Sequence, residues 1–368
     1  MSRYDTLGDG RPNIRELMKR EVYADRDQSC ISLFSEKYLP SDVFAVLDSW
    51  LLSQAPSWRE GRYPFTFMPQ GVSGDGNVGL AEPANRVTAI QVLDGVIPLP
   101  NLIDVDAGAV ADTFALVPDP GVLDPRGANP LLANTQVPYG GRITLQLEEL
   151  SRQAFSDRKH RRHHFEFETE MIGNPGEPNT MLRIIPVIPE EGIYTFMKPI
   201  TDITRLTLRF FGPDEPLRFP VDTVYGMRFE VSPGGANLPP LGTLVVTGPT
   251  QAGDGSPINF LSLLTPGDRI YFEGVEFDHA AAPFAGAGMA VSQLEAYLNK
   301  PDGLFVGDFG KYADLSATQF TTDPLVSGLA LAPGVLPVAP GSKPVLRIAK
   351  NRVRLTVRIQ HMVRCDSS

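Results

Sequence analysis

Arg352-Val353-Arg354-Leu355-Thr356-Val357-Arg358-Ile359 decides the reading of this chain. Its apolar residues Val353, Leu355, Val357 and Ile359 alternate with Arg352, Arg354, Thr356 and Arg358. Successive side chains of a strand point to opposite faces, so a period of two makes one buried face and one wet face. The same alternation recurs upstream. Ile143, Leu145 and Leu147 alternate with Thr144 and Gln146, and Phe165 and Phe167 with His164, Glu166 and Glu168. Leu206, Leu208 and Phe210 alternate with Arg205, Thr207 and Arg209, and Tyr225, Met227, Phe229 and Val231 with Gly226, Arg228 and Glu230. Antiparallel sheets packed on a single side have this pattern.

Further strands are expected at Val87 to Ile97, Met181 to Ile188, Gly242 to Val246, Ile270 to Val275 and Val345 to Ala349. Helix is expected in few places. Ser41 to Leu52 reads SDVFAVLDSWLL: Ser41 or Asp42 can cap it, and Val43, Val46, Leu47 and Trp50 fall at helical spacing. A helical turn is also expected at Val291 to Tyr297. The 34 Gly and 34 Pro fall largely between the short apolar runs, as in loops between strands. The fold expected is mainly β: an antiparallel β-sandwich, jelly-roll-like, with long loops and a short N-terminal helical segment.

At 368 residues the chain exceeds the roughly 250–300 at which single cores stop growing. The expected organisation is 1–100 for an N-terminal arm, the short helix and the first strands, and 101–368 for the main sandwich. Asn101 to Gly141 and Asp278 to Pro344 lack a clear pattern. Long irregular loops are commonly functional, and here they are the natural reach to neighbouring molecules.

The net charge is −10 and the pI about 5.1, which argues against nucleic-acid contact over the whole surface. No stretch reaches the ~18 consecutive apolar residues of a membrane helix, and the polar start, Met1 to Arg20, does not read as a signal peptide. Cys30 and Cys365, near opposite ends, fit reduced thiols better than a bridge.

The searched catalytic motifs are missing. Gly71-Val72-Ser73-Gly74-Asp75 breaks the nucleophile-elbow pattern at its last position, and no P-loop, H-E-x-x-H or C-x-x-C occurs. The chain therefore reads as a non-enzyme, with no cofactor. Asp104, Asp106 and Asp112 do not have EF-hand spacing. His160, His163 and His164 with Glu166 and Glu168 match no familiar zinc spacing; on a strand, His164, Glu166 and Glu168 would share one wet face.

Two basic features are candidate interaction sites. Arg158, Lys159, Arg161, Arg162 and His163 precede the strand at Phe165. They read either as a phosphate-binding patch or as the solvated tip of a hairpin joining two strands. Arg352, Arg354 and Arg358 would line one face of the last strand, to meet acidic loops of a partner or acids on neighbouring strands.

The order of segments resembles a family of virion proteins of nucleocytoplasmic large DNA viruses. The carriers are Glu21-Val22-Tyr23-Ala24-Asp25-Arg26-Asp27, Arg86-Val87-Thr88-Ala89-Ile90 leading to Ile97-Pro98-Leu99-Pro100, and Gly141-Arg142-Ile143-Thr144-Leu145. Arg162-His163-His164-Phe165-Glu166-Phe167, Phe211-Gly212-Pro213-Asp214-Glu215-Pro216-Leu217, Gly267-Asp268-Arg269-Ile270-Tyr271 and Thr321-Thr322-Asp323-Pro324 follow. The resemblance implies a β-sandwich capsid component, of minor capsid or vertex (penton) type, with no catalytic residues. Its partners would be the major capsid protein and other virion proteins, with room for homo-oligomers, in a virion assembled in the host cytoplasm. Two other readings stand beside it. A carbohydrate-binding or host-attachment sandwich needs exposed aromatics, and the chain has only Trp50 and Trp58 as tryptophans. A hydrolase needs two acids brought together from distant positions.

Overall fold

The computed structural model describes residues 31–33, 36–52, 61–69, 76–80, 84–99, 142–153, 155–156, 162–174, 177–187, 193–212, 217, 219–251, 258–281, 284, 288–322 and 332–364. The first part of the chain forms β1 (Ile31–Leu33), β2 (Glu36–Asp48), β3 (Arg62–Pro69), β4 (Asn77–Leu80), β5 (Asn85–Ile97) and β6 (Arg142–Leu147). After these come a small ribbon, β7 (Phe155–Ser156) and β8 (Arg162–His163), then β9 (Phe165–Ile172), β10 (Met181–Pro186), β11 (Ile193–Asp202) and β12 (Arg205–Phe211). A second group is β13 (Thr223–Tyr225), β14 (Arg228–Val231), β15 (Leu244–Thr247), β16 (Arg269–Glu273), β17 (Leu304–Phe305), β18 (Gln319–Thr321), β19 (Gly334–Leu336) and β20 (Val345–Ile348). The last strand, β21 (Arg354–Arg364), returns to the first group.

The first group and β21 make one sheet in the order β1-β2-β21-β5-β10-β9-β6-β12-β3-β4, with β11 also on β5. Every pair is antiparallel except β3 with β4. The sheet curls until its two ends touch: β2 contacts β4, and Gly76 N donates to Leu51 O at 2.8 Å. It is a nearly closed barrel, and its inner face is one core. The alternation supplies that core: Leu355, Val357 and Ile359 from β21, Phe165 and Phe167 from β9, Leu206, Leu208 and Phe210 from β12. Phe210 meets Tyr63 and Phe219 edge to face there, and Tyr63 and Phe219 are tilted against each other.

The second group packs around its own core. Its eight strands pair in nested fashion: β13 with β20, β14 with β19, β15 with β18, β16 with β17. Such nesting arises when one long hairpin rolls up, and it gives the jelly-roll-like sandwich expected from the sequence. Two four-stranded sheets face each other, β13-β20-β16-β17 and β18-β15-β14-β19. One helix, α1 (Gly288–Leu298), buries Val291, Leu294 and Leu298 against this core and covers the turn expected at Val291 to Tyr297.

The helix expected over Ser41 to Leu52 is a strand followed by a 3-10 turn at Ser49–Leu51. Val43, Ala45 and Leu47 also alternate with Phe44 and Val46, and pairing with β21 over eleven residues decides between the two periods. Asp48 caps the turn: its Oδ1 accepts from Trp50 N at 3.1 Å.

The chain passes from barrel core to sandwich core between Phe219 and Val221, and back between Ile348 and Val353. A division at residue 100 falls beside residues outside the described set, and strands on either side of it share the barrel sheet. The two bodies are also joined through a buried ion pair. Lys350 Nζ lies 2.5 Å from Asp268, which is fully buried and accepts from Thr265 N at 2.6 Å and from Asn179 N, on the β9–β10 turn of the barrel, at 2.7 Å.

Candidate functional site

The predicted arginines stand on the outer wall of the barrel, where β2, β21 and β5 lie side by side. β2 runs antiparallel to β21, placing Asp42 opposite Gln360, Phe44 opposite Arg358, Val46 opposite Thr356 and Asp48 opposite Arg354. On its other side β21 sets Arg354 opposite Val96, Thr356 opposite Asp94 and Arg358 opposite Gln91. Arg354 and Arg358 thus share the outer face, while Arg352 just precedes β21.

These arginines differ in their engagements. Arg358 Nη2 reaches Asp42 at 2.5 Å. Arg352 pairs with Asp48 through both its Nε, at 2.8 Å, and its Nη2, and its guanidinium lies 4.0 Å from the centre of the Trp50 ring. Arg354 is exposed and has no ion pair among the described residues. The acids that meet Arg352 and Arg358 both come from β2. Trp50 is thus engaged at the barrel–sandwich junction, with Tyr271 edge-on at 5.3 Å; Trp58 lies outside the described residues.

Between the ion pairs is an apolar patch. Phe44 is 60% exposed, Val46 is exposed on the same strand, and Leu93 is exposed on β5, across β21. Asp42–Arg358, Asp48–Arg352 and Asp94–Arg183, the last at 3.1 Å, rim it. An exposed pair such as Asp94–Arg183 contributes only about 0–1 kcal/mol to folding, whereas Asp48 in the Asp48–Arg352 pair is buried. An aromatic centre inside a charged rim is the anatomy of a protein-binding surface. The sequence signal for Phe44 and Val46 was present in the alternation of β2, but the helical spacing of Val43, Val46, Leu47 and Trp50 obscured it.

The basic segment divides. Arg158, Lys159 and Arg161 lie outside the described residues. Arg162 and His163 form β8, with Ser156 opposite Arg162 and Phe155 opposite His163. His164 does not share a wet face with Glu166 and Glu168. It sits in a bend and is buried, its Nδ1 accepting from Leu147 N at 3.1 Å and its Nε2 3.0 Å from Leu150 O. Asp104, Asp106 and Asp112, Cys30 and Cys365 lie outside the described residues. Among the described residues no three His, Cys, Asp or Glu side chains gather as a metal site, and no helix is long and apolar enough to cross a membrane.

Comparison with known proteins gives the context of this wall. The chain is 26% identical over 168 residues to the penton protein of African swine fever virus from a Kenyan pig isolate, covering 45% of this chain and 56% of that protein. It is 28% identical over 198 residues to the penton protein of the Vero-adapted Badajoz strain, covering 53% and 66%. For a South African tick isolate the figures are 27% over 169 residues, 45% and 55%.

Over about half of its length the chain is similar to the penton proteins of African swine fever virus.

African swine fever virus is a nucleocytoplasmic large DNA virus, so this similarity agrees with the resemblance seen in the sequence. The chain spans less than two thirds of the length of the curated relatives it matches. No protein-family model and no solved structure matches it. For a chain similar to penton proteins, a wall that offers an aromatic residue and an unengaged guanidinium is a place to seek contacts.

Proposed function

We propose that this protein is a structural component of a large DNA virus capsid, a minor capsid or vertex protein of penton type that works through protein–protein contacts and not through catalysis. The observation that carries the reading is its relationship to penton proteins; the jelly-roll-like sandwich supports it. Its partners are the major capsid protein, other virion proteins and further copies of itself, within a virion assembled in the host cytoplasm.

The wall of β2, β21 and β5 is the contact face in this proposal, with Phe44 at its centre, Arg354 as the cation left for a partner carboxylate, and Arg352 and Arg358 in the rim. The N-terminal arm, the loop Asn101 to Gly141 and the basic tip with Arg158, Lys159, Arg161, Arg162 and His163 supply further reach. Phe44→Asp tests the wall. Its side chain is mostly solvated, so the fold should survive with an unchanged Tm. Incorporation into particles should fall by roughly tenfold, as for a residue worth about 1.4 kcal/mol at the centre of an interface. Normal incorporation of a folded Phe44→Asp, Arg354→Glu double variant would remove the wall from the proposal.

A further inference from the structure

Three segments converge where the chain crosses between its two cores: the end of β2, the outgoing residues 219–223 and the returning residues 347–353. Ser49 and Asp222 are both buried at the meeting point. Ser49 N donates to Val353 O at 2.9 Å, Val353 N donates to Ser49 Oγ at 3.0 Å, and Ser49 Oγ donates to Asp222 Oδ2. Asp222 O accepts from Ile348 N at 2.7 Å, and Val221 O accepts from Asn351 Nδ2 at 3.1 Å. Asp222 therefore touches both other segments, through its carboxyl at Ser49 and through its backbone carbonyl at Ile348, while Ser49 joins the end of β2 to Val353.

Its surroundings are charged but dry. Arg347, on β20, faces it while also donating through Nη1 to Trp50 O at 2.8 Å and pairing through Nε with Glu273 at 2.8 Å. Asp48, already held by Arg352, faces it from the end of β2, and the buried Tyr63 from β3. Burial lifts the Asp222 carboxyl from its ordinary value of 3.8 to about 6, and Asp48 adds to the lift; the hydrogen bonds from Ser49 and Thr223 and the charge of Arg347 oppose it. Of these groups only Asp48 is shared with the outer wall, through its pair with Arg352 in the rim.

We propose that this crossing is an acid-tightened clasp: a proton taken up at Asp222 seats the barrel more firmly on the sandwich, and its loss loosens the seat. A carboxyl that protonates more readily in the closed clasp than in an opened, hydrated one binds protons preferentially to the closed form. The added tightness is complete below about pH 4 and is lost as the pH rises through about 6. Between pH 5 and pH 7.5 the opening equilibrium should rise by roughly tenfold.

Hydrogen exchange of the full chain tests this at the Val353 and Ile348 amides, which donate within the clasp. After correction for intrinsic exchange, wild type should be about tenfold better protected at pH 5 than at pH 7.5. Asp222→Asn, which keeps an uncharged side chain in place, should show equal protection at both. Equal protection in wild type, or the same pH dependence in the variant, overturns the clasp. Should the variant not fold, the carboxyl carbon resonance of Asp222 in wild type decides: a midpoint near 6 sustains the clasp, and one near 4 overturns it.

Discussion

His164 shows how much a single side chain contributes to this barrel. Nδ1 accepts from the Leu147 amide, which leaves Nε2 protonated and donating to Leu150 O. The ring is therefore the neutral tautomer, fixed by two backbone groups and packed edge-on against Tyr194 at 4.9 Å. His164→Ala would leave a buried amide and a buried carbonyl without partners and open a cavity. We expect a loss of about 3 kcal/mol, read as a lowered urea midpoint with unchanged slope. The sequence around His164 hid this role. In a run of seven basic residues and histidines, alternation with Phe165 assigns His164 to the solvent side with Glu166. A bend at His164 breaks that alternation, and nothing in the local pattern announces it.

Strands with sustained alternation were legible, as were the apolar runs at β5, β10, β15, β16 and β20, while the shortest strands were not. β6, β9, β12 and β21 fall where the period of two placed them. The run Tyr225 to Val231 has the correct period but is two strands, broken at Gly226, whose φ of +77° a strand does not accommodate. β17, β18 and β19 have two or three residues each, too few to carry a period. β2 fitted two periods at once, and only its partners in space decide between them. β5 holds a test at this scale. Gly95 lies between β21 and β10, where an added Cβ would come 2.4 Å from Leu355 Cδ2 and 2.9 Å from Ile184 Cδ1. Gly95→Ala should cost about 1–3 kcal/mol through overpacking, measured by chemical denaturation, although alanine alone suits a strand better than glycine.

The whole molecule is a barrel and a sandwich tied together by contacts that no local reading contains. Ser49 meets Val353 across 304 positions, and Asn179 meets Asp268 across 89. Composition and alternation gave the β class; the nested strand pairing, the return of β21 to the barrel and the junction around Asp222 depend on those distant pairings. The arginine wall was legible in part, since Arg352, Arg354 and Arg358 declared a common face, while their β2 acids and the apolar patch beside them did not.

If the chain, similar to penton proteins, is a building block of a capsid, it belongs in the particle at a fixed copy number. Quantitative mass spectrometry of purified virions of the virus that encodes it measures this, with its copy number set against that of the major capsid protein. A fixed copy number well below that of the major capsid protein is the predicted result. Absence of the protein from particles, while it is abundant in infected cells, would rule out a capsid role.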